Sequence, residues 1–192
     1  LTTVLLLAFL FIFYPLFVSV TTKLSPTIFA KKIAKVALFG FSTSSSAATL
    51  PMNIETAEKE LGISEEIASF ILPLGMTINM DGTALMQVVA TIFIAGVAGY
   101  TVHLPQLILI GLLPVGTPAA PGAGAIILFT ILSGVGFTNP IALSVYALIL
   151  AINRPIEMLV TALNVTGDTA CAMVVCKSEN SLNEEVFNTV SK

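Results

Sequence analysis

Between Glu66 and Lys177 the chain carries only four charged side chains: Asp81, Arg154, Glu157 and Asp168. A soluble surface needs far more. Soluble domains devote roughly 25% of their residues to charge, whereas this chain of 192 residues is 10% charged and 56% hydrophobic. The pattern predicts an all-α membrane protein. An ionisable side chain in hydrocarbon costs at least about 2.5 kcal/mol on insertion scales, so it normally faces a cavity or a partner. The four charges are therefore the first candidates for function.

Residues 1–22 are apolar nearly throughout and long enough to cross a bilayer, which takes about 20 residues. A signal peptide is the competing reading. The segment has no basic leading region and no small-residue cleavage site, and it carries Pro15. A chain that opens at Leu1 inside a helix suggests that an N-terminal portion precedes it. Lys23, Lys31, Lys32 and Lys35 follow, which sets that end on the cytoplasmic side. The acidic run from Glu55 to Glu66 reads as a solvated face, and residues 177–192 as a polar, cytoplasmic C-terminal tail. The formal charge of -3 leaves no footprint for nucleic acid. Cys171 and Cys176, in TACAMVVC, fit neither a CxxC redox pair nor a zinc site and read as packing residues. His103, in GYTVHLPQ, reads as a solvated loop histidine. No cofactor is expected.

The remaining apolar segments are too short, or too interrupted, for ordinary spans. Residues 25–61 form two short arms joined by TSSSAATLP at 43–51. Residues 64–99 form a helix interrupted by NMDGT at 79–83. Residues 104–136 again form two arms, joined by GTPAAPGAGA at 116–125. Residues 139–176 form a long helix containing NVTGD at 164–168. The order "hairpin, then helix with an Asn–Asp motif" thus occurs twice. The expected fold is transmembrane helices plus two re-entrant helical hairpins in an inverted repeat, with interrupted helices. Paired hydrophobic segments broken by Gly or Pro are the sequence signature of a transporter site at the bilayer midplane.

A broken helix frees backbone carbonyls, which are hard oxygen ligands for a small cation, and amides, which suit a carboxylate. Asn79, Asp81, Asn164 and Asp168 add side-chain oxygens. At 100° per residue, Asn153, Glu157, Thr161, Asn164 and Asp168 fall at about 0°, 40°, 80°, 20° and 60° on one stripe of an oily helix, with Val160 at its edge. A seam that only holds helices together rarely needs two acids.

The stretches TSSSAATLP, LPLGMTINMDGTAL, GTPAAPGAGAI and TALNVTGD resemble, in order, the dicarboxylate/amino acid:cation symporters, which include glutamate and neutral amino acid carriers. The resemblance covers nearly the whole chain and identifies it as the C-terminal transport-core half. It implies three sodium sites. One uses the carbonyls of Gly75, Asn79 and Asn164 with the Asp168 carboxylate. A second uses the carbonyls of Thr77, Pro114, Val115 and Thr117. A third uses Asp81 and Asn79 with groups from a helix outside this chain. It implies substrate contacts from Ser45, Ser46, Gly122, Thr161 and Asn164, with the second hairpin as the extracellular gate. It also implies a homotrimer formed through N-terminal helices that this chain lacks.

Two positions depart from the acidic-substrate members. Val160 stands where they carry an arginine, and Glu157 stands where they carry an aspartate for the substrate ammonium. A carboxylate side chain would lose its bidentate partner at Val160. The expectation is a multi-pass protein of the inner or plasma membrane that couples sodium to uptake of a small neutral amino acid by alternating access. The alternative is an acidic amino acid or dicarboxylate carrier that uses Arg154. A remote alternative is an intramembrane aspartyl protease, which would need Asp81 and Asp168 to share a proton. A non-transporting membrane module is the remaining class.

Overall fold

A computed structural model describes residues 1–189. The chain is helical, and no strand occurs among the described residues. We number its helices α1 (Thr2–Thr22), α2 (Pro26–Thr43), α3 (Ser46–Lys59), α4 (Glu65–Ile78), α5 (Asp81–Ala98), α6 (Leu104–Leu112), α7 (Ala123–Gly134), α8 (Pro140–Ile152), α9 (Arg154–Ser178) and α10 (Glu184–Asn188). By length and composition, Thr2–Thr22, Glu65–Ala98 and Arg154–Ser178 can each cross a membrane. Exposed apolar side chains run along α1 (Phe11, Ile12, Leu16), α5 (Ile92, Phe93) and α8 (Leu148, Ile152), as faces turned to lipid or to further helices require.

Helix α9 is the axis of the fold. It packs against α1, α2, α3, α4 and α5, and every residue from Val160 to Ala170 is buried. The polar stripe is therefore not the only covered face: the apolar side of α9 is equally enclosed. Small residues permit this crowding. Gly40 of α2 leaves only 3.1 Å between a would-be Cβ and Val165 Cγ2.

The first pair of arms, α2 and α3, packs together and then onto α9. Its tip is tighter than TSSSAATLP suggests. Only Ser44 and Ser45 lie outside helix, because the Ser45 side chain caps α3 by accepting from Ala48 N. Pro51 lies inside α3. The second pair behaves differently, with both α6 and α7 packed on α5.

Helices α4 and α5 are separated by Asn79 (φ −90°, ψ 78°) and Met80 (φ −106°, ψ 45°), so the chain breaks at NMDGT as expected. The helix expected over 139–176 is instead two helices, α8 and α9, that meet at Asn153. Pro155 is the cause: it has no N–H for the preceding turn and enters α9 at its second position. The Asn153 carbonyl then serves the new helix by accepting from Ile156 N and Glu157 N.

The C-terminal tail is more structured than its polarity suggests. Asn183 caps α10 by accepting from Glu185 N and Val186 N, and Phe187 is fully buried. Lys32 holds the segment with all three donors of its ammonium, to the carbonyls of Glu60 (2.7 Å), Val186 (3.1 Å) and Phe187 (2.8 Å). Burial pushes the Lys32 ammonium below the usual lysine range, and nearby Glu60 opposes that shift.

Candidate functional site

The break between α4 and α5 frees backbone groups that an unbroken helix would pair, and two of them find partners elsewhere. Gly82 N donates to Asn164 Oδ1 at 2.8 Å, so α5 starts directly on α9. Thr77 O accepts from Gly116 N at 2.9 Å, so the tip between α6 and α7 docks on the end of α4. Each of these two contacts has a glycine on one side. At Gly82 a Cβ would lie 2.9 Å from Val160 O, and Gly116 has φ +84°, in the left-handed region that glycine tolerates best.

Two carboxylates stand at this junction. Asp168, 3% exposed, accepts from Asn79 Nδ2 at 3.0 Å, and the same amide reaches Asn164 O at 3.4 Å. Gly75 faces Asp168 so closely that a Cβ would come 2.7 Å from its Oδ1. Asp81 accepts a hydrogen bond from the hydroxyl of Tyr14 on α1. Gly75, Asn79, Asn164 and Asp168 are thus brought together, with Asp81 adjoining through Asn79's neighbourhood on Tyr14 and Gly167. No hydrogen bond joins the two aspartates among the described residues, and each has its own neutral donor.

Among the described residues, no group of three or more His, Cys, Asp or Glu side chains converges as a metal cluster. A cation here would rest on carbonyl, amide and carboxylate oxygen, the donor set of hard ions. The carbonyls of Gly75, Thr77 and Pro114 already accept from Asn79 N, Gly116 N and Thr117, respectively. A carbonyl oxygen has a second lone pair, so Gly75 O and Thr77 O keep room for a ligand role, whereas Pro114 O accepts from both the N–H and the hydroxyl of Thr117. Thr117 is buried, while Val115 is 52% exposed on the outer side of the same turn.

Beside the junction lies a cavity of about 40 Å³, lined by Ser44, Ser46, Met80, Thr83, Thr117, Gly122, Glu157, Val160, Thr161 and Asn164, among others. At about 10–15 Å³ for each water it has room for roughly three. Both hairpin tips close it: Ser45 Oγ donates to Ala119 O at 2.9 Å, and Ala47 N reaches the same oxygen at 3.4 Å. Of the expected substrate residues, Ser46, Gly122, Glu157, Val160, Thr161 and Asn164 line this cavity. Ser45 does not, because its hydroxyl is committed to the tip contact and the α3 cap. Ser44 lines it instead, with a buried hydroxyl that has no hydrogen-bond partner.

Among the described residues, Glu157 is the only charged one in the lining. Its Oε1 is buried without a partner, while Oε2 lies 3.5 Å from Arg154 Nη1. The Arg154 side chain is 59% exposed and does not line the cavity. Val160 presents an apolar wall, 5% exposed.

Several residues of the region escaped the sequence reading. Gln87 is fully buried, donates to Gly124 O at 2.6 Å and leaves its Oε1 unpartnered. Thr83, Gln87 and Thr91 recur at steps of four on α5, and that spacing was a usable signal. Tyr14 offered none, since nothing local marks which distant group it reaches.

A family model described as "Sodium:dicarboxylate symporter family" matches residues 1–178. The chain is 34% identical over 165 residues to an excitatory amino acid transporter of Caenorhabditis elegans, covering 84% of this chain and 32% of that protein. It is 37% identical to human excitatory amino acid transporter 2, over 85% of this chain and 29% of the relative. It is also 37% identical to human excitatory amino acid transporter 5, over 86% and 30%. The chain therefore spans about a third of the length of the curated relatives it matches.

Proposed function

Since this chain belongs to the sodium:dicarboxylate symporter family, a family of transporters rather than enzymes, we propose that it forms the transport core of a sodium-coupled symporter for a small neutral amino acid. The observation that carries the substrate reading is the cavity lining, with one unpaired carboxylate oxygen on Glu157, no cation and the apolar Val160. The substrate ammonium meets Glu157, Thr161 and Asn164. Its carboxylate meets Ser44, Ser46 and backbone amides of the tips near Gly122. Its side chain faces Val160. A second negative charge in this cavity would meet Glu157, whose cationic partner Arg154 lies outside the lining.

Sodium is the co-substrate. One ion takes the carbonyls of Gly75, Asn79 and Asn164 and the Asp168 carboxylate. Another takes the carbonyls of Thr77, Pro114, Val115 and Thr117. A third takes Asp81 and Asn79. Coupling runs through the second hairpin, because Gly116 meets Thr77 while Thr117 and Gly122 line the cavity. Sodium that favours the closed hairpin then favours substrate retention, a matter of differential affinity for two states. Helices beyond this chain supply the scaffold and a homotrimer contact, and the C-terminal tail is cytoplasmic.

The second reading is an acidic amino acid substrate. Its support is the relatives, which are excitatory amino acid transporters, and Arg154, which sits beside Glu157. Counterflow of labelled amino acids into liposomes with the full-length protein, with and without sodium, separates the two. Sodium-dependent exchange of alanine-sized neutral substrates is expected. Uptake indifferent to sodium refutes coupling, and a strong preference for aspartate or glutamate selects the second reading.

A further inference from the structure

Tyr14 belongs to neither Asn–Asp motif, yet it enters the cation centre from α1. The five residues just before it, Phe9–Phe13, form a π-helical turn, which resets the helix face that follows and recurs at functional sites. Tyr14 is 2% exposed, and its hydroxyl donates to Asp81 Oδ2. Helix α9 makes room for it. A Cβ on Gly167 would overlap the Tyr14 hydroxyl, approach its Cζ at 2.8 Å and approach Asn79 Nδ2 at 2.6 Å. Gly167 therefore admits two donors side by side, Tyr14 for Asp81 and Asn79 for Asp168. Both donors are neutral, and each takes one oxygen of its carboxylate, Asp81 Oδ2 and Asp168 Oδ1.

We infer that Tyr14 is a placeholder for sodium: its hydroxyl proton satisfies Asp81 while no ion is bound, and sodium competes with that proton for the carboxylate. The inference rests on the sodium-coupled reading above. A phenol suits the task. Its O–H turns about the Cζ–O bond without moving the buried ring, so the hydrogen bond is released without repacking α1. Tyr14 is thus a positioning residue, acting on the ion through Asp81.

The test is Tyr14→Phe in the full-length protein, read as melting temperature across a sodium titration against choline, with no amino acid present. A competing donor stabilises only the sodium-free state. The variant should melt lower than wild type in choline and equally in saturating sodium. Its half-saturating sodium concentration should fall on the order of tenfold, the weight of one hydrogen bond to a charged group. Equal loss of stability in both salts, with unchanged half-saturation, would make Tyr14 merely structural and overturn the inference. Weaker sodium binding would make its oxygen a ligand and overturn it too. A wild type that shows no sodium-dependent shift sinks the coupling reading along with this one. Site-specific ¹³C labelling of Tyr14 tests the same point in unmutated protein. Its C–O stretching band should shift on sodium addition, and an unchanged band overturns the inference even if the variant does not fold.

Discussion

Two glycines on α5 should respond to one substitution in opposite directions. At Gly82 a Cβ would lie 2.9 Å from Val160 O, 3.1 Å from Asn164 Oδ1 and 3.2 Å from Val160 Cα. Two of those atoms are backbone of the central helix and cannot swing aside. Overpacking of this kind costs about 1–3 kcal/mol. Lifting α5 from α9 also weakens the 2.8 Å bond from Gly82 N to Asn164 Oδ1, worth roughly 1 kcal/mol more. At Gly96, on the same helix, a Cβ would meet nothing within 4 Å of this chain, and alanine gains up to about 1 kcal/mol of helix propensity. Gly82→Ala should therefore fall about 3 kcal/mol below Gly96→Ala. On soluble-domain scaling of about 2–4 °C per kcal/mol, that is roughly 6–12 °C in melting temperature. Thermal denaturation of the two purified variants, with and without sodium, checks the difference, and sodium stabilisation should shrink only in Gly82→Ala. If Gly82→Ala melts with wild type and keeps its sodium response, the close approach of α5 to α9 is wrong.

Glu157→Gln removes the one carboxylate lining the cavity, so amino acid affinity should fall tenfold or more, read by isothermal binding, while sodium stabilisation without substrate persists. Val160→Arg places a guanidinium at the apolar wall, and counterflow should then shift toward aspartate; continued exclusion of acidic substrates would reject the assignment of that wall to the side chain. Phe187→Ala empties a fully buried site and should cost about 3–5 kcal/mol locally, which limited proteolysis would report as early cleavage after Lys177 with the core intact.

The breaks in this fold were legible because they are written in local chemistry. NMDGT interrupts α4–α5 where Asn, Asp and Gly give a helix several ways to stop, and Gly116 and Gly122, both at φ +84°, bound a turn that few other residues would accept. The polar stripe of α9 carries Glu157, Thr161 and Asn164 to the cavity and Asp168 to Asn79, since 3.6-residue periodicity fixes a common face, while Asn153 falls outside the helix at its start. Periodicity does not say what lies opposite. Tyr14 sits 67 residues from Asp81, and α10 docks on a lysine more than 150 residues earlier, so neither contact leaves a mark in its own neighbourhood. The exchange of Ser45 for Ser44 at the cavity turned on which of two adjacent hydroxyls caps α3. The split at Asn153 was visible in Pro155, but a proline near a helix start is tolerated, and only the structure shows that a new helix starts there.

Charge accounting links these contacts to transport. Glu157 has Arg154 at 3.5 Å, but Asp81 and Asp168 are held by a phenol and an amide. Neutral donors reduce the cost of a buried carboxylate without cancelling its field, and an uncompensated buried charge is among the most expensive features a fold can carry. A site with one buried carboxylate, Asp168, and one half-buried, Asp81, would gain more from an arriving cation than one already holding a lysine or arginine. A permanent counter-charge would stabilise the resting protein and weaken ion binding by the same interaction. On the sodium-coupled reading, leaving the pair to Tyr14 and Asn79 keeps the site open to the ion, and Gly75, Gly82 and Gly167 hold α4, α5 and α9 close together there. Replacing either donor with lysine should therefore raise stability without sodium and abolish the sodium-dependent shift, the opposite of what a purely structural junction would do.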